Sequence, residues 1–195
     1  MAGITYCKGD IFESKAQVLV NTVNCKGVMG KGLALAFKQR YPDMFKVYQQ
    51  ECEMGTIRIG RPSLYKKSTP RILNFPTKDH WRDNSKLEYL EQGLAYFAAN
   101  YKQEGITSVA FPKLGTGHGK LSWDTVGPLM AKYLGKLDIH VYIYIDDGDQ
   151  GIFHLIDATI TEKPSESYSL TKKRSKREHE QCRIRGLHST SGDAG

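Results

Sequence analysis

Two glycine-rich turns carry the residues most suited to chemistry. The first, Asn21-Thr22-Val23-Asn24-Cys25-Lys26-Gly27-Val28-Met29-Gly30-Lys31-Gly32, joins the apolar run Val18-Leu19-Val20 to a helical pattern that begins near Leu33. Glycines let the backbone approach a ligand closely. The free N–H groups and dipole of a helix N-terminus favour an anion there, and asparagine amides at a strand end suit sugar hydroxyls. The second turn, Gly115-Thr116-Gly117-His118-Gly119-Lys120-Leu121, also follows a strand pattern and precedes a helix. It is not a P-loop, because the spacing before Gly119-Lys120 is one residue short and Leu121 replaces the Ser or Thr that would hold magnesium. Neither turn reads Gly-x-Gly-x-x-Gly. Ordinary turn glycines would account for one such loop. Two that both open helices point to a diphosphate held from two sides, and so to a nucleotide-like ligand.

The elements that must position these turns are legible as periodicity. Residues 4–7 and 17–22 read as strands, the second dense in Val and Leu as a strand buried on both faces would be. Leu33, Leu35, Ala36, Phe37, Phe45 and Val47 follow a helical pattern broken at Tyr41-Pro42, where proline ends one helix or starts the next. Residues 63–67 and 71–75 form a hairpin-like pair across Ser68-Thr69-Pro70. Residues 85–102 form a helix with Leu87, Leu90, Leu94, Phe97 and Ala98 on one face. A strand at 108–111 leads into the second turn, a helix follows at 122–134 with Ser122 as N-cap, and 139–145 is the last strand. Strands alternating with helices predict an α/β protein, a three-layer α/β/α sandwich with a mixed, mostly parallel sheet of about six strands. In such sheets ligands bind beyond the carboxyl ends of the strands. Asp10, Asn21, Asn24, Lys78, the 115–119 turn and Asp146-Asp147-Gly148 each follow a strand, so parallel strands would gather them on one rim.

The totals bound the rest. A chain of 195 residues suits one domain with a substantial core. No apolar run approaches the roughly 20 residues that cross a bilayer, and Met1-Ala2-Gly3-Ile4-Thr5-Tyr6-Cys7-Lys8 lacks the regions of a signal peptide. Cys7, Cys25, Cys52 and Cys182 form no Cys-x-x-Cys pair and no set with spaced histidines, which argues against zinc and a disulfide framework. Net charge is +7, with eight Lys/Arg against five Asp/Glu after Asp157. The basic body suits an anionic ligand or nucleic acid, although charge alone fits a solvated surface equally well. Periodicity fades near Lys163, so 1–157 is expected to be the folded domain and 158–195 a basic, disordered tail. Its run Lys172-Lys173-Arg174-Ser175-Lys176-Arg177 reads as a solvated tail, or as an import or nucleic-acid patch. These features predict an intracellular, cytoplasmic protein, nuclear if that run is an import signal.

The combination of Gly9-Asp10-Ile11, Asn21-Thr22-Val23-Asn24 with Gly30-Lys31-Gly32, and Pro112-Lys113-Leu114-Gly115-Thr116-Gly117 resembles the macrodomain, an ADP-ribose-binding α/β module. The resemblance covers about residues 1–157. Within that family, Asn74-Phe75-Pro76-Thr77-Lys78-Asp79-His80-Trp81-Arg82 is similar to the branch of ADP-ribosyl glycohydrolases whose lysine after this strand is catalytic. This implies Lys78 as the catalytic residue. It also implies that Asp10 and Ile11 recognise the adenine, Asn21 and Asn24 face the distal ribose, and Gly30, Lys31 and Gly32 cradle one side of the diphosphate. Leu114, Gly115, Thr116, Gly117 and His118 would cover its other side, and Tyr144 or a neighbouring aromatic would pack on the adenine.

The branch divides on its acceptor. The human terminal ADP-ribose glycohydrolase of this branch pairs its lysine with an aspartate in the second turn; here that place is near Gly119, and no carboxylate appears until Asp124. The resemblance therefore implies removal of ADP-ribose from a DNA base, thymidine, with His118 either as an acid or base or as an ordinary phosphate contact. Trp81 and Arg82 would stack an unpaired base and hold its phosphate, or Trp81 would bury against the following helix. No metal and no cofactor are implied, and the expected partners are ADP-ribose, ADP-ribosylated substrate and single-stranded DNA, with the protein a monomer. The antitoxin members usually carry a second domain that contacts a toxin, and nothing after Asp157 resembles one, so the resemblance leaves a toxin partner open. The alternatives are a hydrolase of protein-linked ADP-ribose or O-acetyl-ADP-ribose, and a non-catalytic ADP-ribose reader.

Overall fold

The computed structural model describes residues 2–152, all within one compact unit. The expected tail at 158–195, with its basic run and Cys182, lies outside the described residues. Six strands, β1 (Gly3–Cys7), β2 (Val18–Val23), β3 (Ser63–Tyr65), β4 (Arg71–Pro76), β5 (Ser108–Pro112) and β6 (His140–Tyr144), form one sheet in the order β1-β6-β5-β2-β4-β3. Every neighbouring pair is parallel except β3 with β4, which is antiparallel. The helices are α1 (Gly32–Arg40), α2 (Pro42–Glu53), α3 (Leu87–Asn100) and α4 (Trp123–Leu134).

Alternation along β2 explains the layers. Val18 and Val20 pack in a core with Leu90, Leu94 and Phe97 of α3 and Met130 and Leu134 of α4. Leu19 and Val23 point the other way, among Phe37 of α1 and Met44 and Tyr48 of α2. Successive side chains of a strand face opposite sides, so a strand with apolar residues at nearly every position must be covered by helices on both. Pro42 opens α2 at its first turn, where its missing N–H costs nothing. Ser122 Oγ accepts from the Asp124 N–H at 3.2 Å and caps α4.

Two boundaries differ from the sequence expectation, each for a tertiary reason. β3 ends at Tyr65 rather than residue 67, where its pairing with β4 stops opposite Ile72. α3 starts at Leu87 rather than residue 85. The Ser85 N–H is diverted to the Gly119 carbonyl at 3.0 Å, so this residue supports the second glycine turn instead of opening a helix. α3 lies close to the sheet because residue 93 has no side chain; a Cβ there would overlap the Phe75 ring. Replacing Gly93 with alanine should lower unfolding free energy by about 1–3 kcal/mol, the usual cost of overpacking. Chemical denaturation should show this as a lower midpoint at unchanged slope.

Candidate active site

Because β1, β2, β4, β5 and β6 run in one direction, their carboxyl ends share one rim. The loops leaving them enclose a cleft of about 1030 Å³. Asp10, Ile11, Asn24, Gly30, Lys31, Gly32, Lys78, Trp81, Arg82, Gly115, Thr116, Gly117, His118 and Tyr144 all line it. The gathering of distant loops at one rim therefore follows from parallel pairing, with no further signal needed.

The first turn is held by its own asparagine. Asn24 Nδ2 donates to the Val28 carbonyl at 2.6 Å, and Asn24 Oδ1 accepts from the Lys26 N–H at 2.9 Å. The Tyr48 hydroxyl, buried beneath, donates to the Asn24 carbonyl at 2.7 Å. An asparagine side chain bonding nearby backbone is a turn former, so Asn24 shapes the loop while bordering the cleft. Lys31 is extended and caps α1 with no side-chain bond, and Gly32 takes φ +56°. The first N–H groups of α1 are thus left without a side-chain cap beside the cleft.

Two residues expected in the site lie beneath it. Asn21 is fully buried and absent from the lining; its Nδ2 donates to Asn74 Oδ1 at 3.0 Å and faces Met29 Sδ. Its place on β2 turns it into the core under the first loop, so it supports that loop from below. Leu114 is also fully buried, as the apolar anchor of the second turn. Asp10 is exposed at the cleft edge, where its carboxylate accepts from the Phe12 N–H at 2.9 Å and meets Arg40 Nη2 at 3.4 Å. Tyr144, whose face could not be chosen from the alternation of β6, points to the α1/α2 side and lines the cleft.

The second turn is a tight backbone fold. Gly115 has φ +67°, Leu121 N–H donates back to the Gly115 carbonyl at 3.0 Å, and Lys120 N–H donates to Gly117 at 3.1 Å. A Cβ on Gly119 would overlap both the Gly115 carbonyl oxygen and Ser85 Oγ. No side chain fits at 119, so the position where an aspartate could have partnered the lysine is closed by geometry as well as by residue type. The two turns meet where a Cβ on Gly32 would come within 3.3 Å of the His118 ring.

Lys78 reaches into this junction. Its Nζ donates to the His118 carbonyl at 2.5 Å. The segment is stitched to the first turn, with Thr77 N–H on the Val23 carbonyl and Cys25 N–H on the Asp79 carbonyl, both 2.9 Å. Burial pushes the Lys78 ammonium below the ordinary lysine pKa; Asp83 opposes the shift and Lys120 reinforces it. By contrast, burial and then Asp79 and Cys52 push the Cys25 thiol up to about 11, so it stays protonated and is no nucleophile. Lys113 braces the floor, contacting Asp146 and, at 2.8 Å, Asp149, in the stretch after β6. Burial opposes its charge, yet the two carboxylates hold its pKa above the ordinary value.

Trp81 is 44% exposed, so it does not bury against α3. It stacks on His80 with centroids 5.3 Å apart and carries the Arg82 guanidinium 4.4 Å from its ring centre. Sequence reading missed Ser85, Asn74 and Lys113. Ser85 was read as a helix start, and neither Asn74 nor Lys113 was given a role of its own within its motif. Only their long-range partners show their roles. Among the described residues, no group of three or more His, Cys, Asp or Glu could hold a metal ion, and no helix is long and apolar enough to cross a membrane.

A family model, the Macro domain, matches residues 20–130. The chain belongs to the macrodomain family. This macrodomain is 43% identical over 150 residues to the DNA ADP-ribosyl glycohydrolase of Mycobacterium tuberculosis, covering 74% of this chain and 43% of that protein. It resembles the solved macrodomain of Thermus aquaticus DarG at 38% identity and TM-score 0.72, covering 75% of this chain and all of that one. It also resembles Thermosipho africanus DarTG in complex with ADP-ribose at 41% identity and TM-score 0.72, covering 76% of this chain and 44% of that chain. The chain spans less than half the length of the curated glycohydrolase relatives most similar to it.

The second turn gives a direct test. Gly119→Ala should destabilise the protein by about 1–3 kcal/mol and weaken ADP-ribose binding, read by thermal unfolding and calorimetric titration. Gly117→Ala, at a position with nothing within 4 Å of its built Cβ, should unfold as the native protein does.

Proposed function

We propose that this macrodomain binds ADP-ribose across the rim cleft and hydrolyses the bond between its distal ribose and a DNA base, thymidine in single-stranded DNA. The observation that carries the reading is the Lys78 amine, held inside the cleft at the junction of the two glycine turns with its pKa lowered by burial. The names of the relatives, DNA ADP-ribosyl glycohydrolases, and the ADP-ribose complex of one of them favour the same substrate. In this reading the turns hold the diphosphate through backbone N–H groups, Asp10 and Ile11 take the adenine, Tyr144 packs beside it, and His118 covers the diphosphate. Asn21 and Asn24 then act by shaping the first turn beneath the distal ribose.

Lys78 is the reacting group. Its neutral amine attacks the anomeric carbon of the distal ribose while the bond to the base breaks. The amine's proton ends on the departing base nitrogen. The resulting lysine–sugar bond opens to a Schiff base, and water hydrolyses it to ADP-ribose and free Lys78. No step asks for a carboxylate at residue 119, a position with no room for a side chain.

Lys78→Ala should lower turnover of ADP-ribosylated single-stranded DNA by at least about a hundredfold. Its ADP-ribose affinity should stay within about threefold, under 1 kcal/mol. Native-like turnover by this variant would remove Lys78 from the mechanism, and native protein that binds ADP-ribose yet releases none from DNA or protein would favour a reader. Release from modified protein alone would overturn the DNA assignment.

The pH dependence follows from the same amine. Only its neutral form attacks, so the rate should rise with pH through an apparent pKa below the ordinary lysine value. Lys120→Ala removes a cation that lowers the Lys78 pKa and should move this limb to higher pH. Asp83→Asn removes a carboxylate that raises it and should move the limb to lower pH. Rate–pH profiles of the three proteins measure the order.

A further inference from the structure

From the mouth of the cleft outward, exposed cations lie beside aromatic rings. Trp81 and Arg82 sit at the cleft mouth, with the guanidinium 4.4 Å from the ring centre. Lys86 Nζ lies 5.3 Å from the Tyr89 ring at the start of α3. Arg61, from the turn before β3, lies 5.8 Å from the Tyr96 ring. Tyr89 and Tyr96 are seven residues apart, two helical turns, so they share one flank of α3 about 10 Å apart along its axis. That flank adjoins the core face of Leu90, Leu94 and Phe97 and is distinct from the side where Glu91 pairs with Lys132 of α4. The turn carrying Arg61 is pressed against it, since a Cβ on Gly60 would touch the Gln92 side chain. Arg61, Lys86 and Arg82 are exposed, and none of the three has a carboxylate partner among the described ion pairs.

Rings interleaved with unpaired cations are what a single strand requires. A cation that swings from its ring to a phosphate uncovers a ring face for a base, without reading the base's identity. A duplex keeps its bases stacked on one another and would use only the cations. We propose that this stripe is the track for the DNA strand flanking the modified nucleotide: Trp81 and Arg82 receive the base next to the cleft, and Lys86 with Tyr89, then Arg61 with Tyr96, hold the strand beyond it. The track rests on the reading of the cleft as a DNA glycohydrolase site and assigns the surface that selects a polymer over a free nucleotide.

The test separates the track from the chemistry. Fluorescence anisotropy would follow native protein and Arg61→Ala/Lys86→Ala binding an unmodified oligothymidine of about 12 nucleotides. Both substitutions are of exposed side chains, and thermal unfolding of the variant checks that the fold is retained. The variant should bind at least about tenfold more weakly, and its plot of log affinity against log salt should be shallower by about 1.4, two phosphate contacts at about 0.7 each. Tyr89→Ala should weaken binding with an unchanged salt slope. Equal affinity of native protein and the double variant, or tighter native binding of the duplex or of oligouridine, would overturn the track.

In parallel, both proteins would be given a modified dinucleotide and a modified strand of the longer length. Loss of kcat/KM on the long strand alone supports the track. Equal loss on both lengths overturns it. Native protein that binds oligothymidine as expected yet cleaves neither substrate would sink the glycohydrolase reading and leave the track standing.

Discussion

The close approach of Gly119 to the Gly115 carbonyl and to Ser85 is the constraint on which the site depends. It lets the chain double back within a few residues, so that Leu121 can return a hydrogen bond to Gly115 and the His118 carbonyl can face Lys78. A side chain at 119 would force this fold open and release the lysine's anchor. The constraint also bears on chemistry. Position 119 has no space for a carboxylate, so in the proposed reaction Lys78 would draw on burial, on neighbouring cations or on the substrate rather than on an acid there. The lysine's environment provides the first two.

Around that turn the cleft is built by division of labour. Backbone groups face the cavity, while several side chains that look like ligands from the sequence are spent on holding the backbone. Asn24 bonds its own loop, Asp10 caps the short helical turn after β1, and Asn21 pairs with Asn74 under the floor. Such a site is stiff, because each loop is fixed by local bonds and by stitches between neighbours such as Cys25 to Asp79. A stiff cradle of N–H groups favours a diphosphate without needing to order itself on binding. The Lys78 amine rests on the His118 carbonyl, a partner it would leave in the proposed attack on a sugar.

Much of the fold was readable from periodicity. β2 and β4 are apolar at successive positions, which only a strand covered on both faces can satisfy, and the breaks at Pro42 and Ser122 carry local stereochemical reasons. The glycine turns were readable because failure of the P-loop and dinucleotide patterns left few other uses for two such loops. Asn21 and Leu114 were misplaced by one layer. The motif marks the neighbourhood of a ligand, whereas the side toward which a given strand residue turns depends on the register of the sheet. Ser85 was misread because a serine before an apolar helical run has the same local signature whether it caps that helix or props a loop more than 30 residues away.

The sequence by itself determined the α/β order of elements, the two glycine turns and the lysine just after β4. These are properties of residue type and local spacing, which survive without knowledge of long-range partners. Tertiary structure alone decided that the Lys78 amine meets the second turn and is shifted by burial, that Trp81 is exposed, and that Arg61 lies against Tyr96 of α3. Those outcomes depend on parallel pairing of strands distant in the chain and on close backbone approach, and neither leaves a mark in any one segment. The chemistry was written in the residues; which of them could touch one another was set by the sheet.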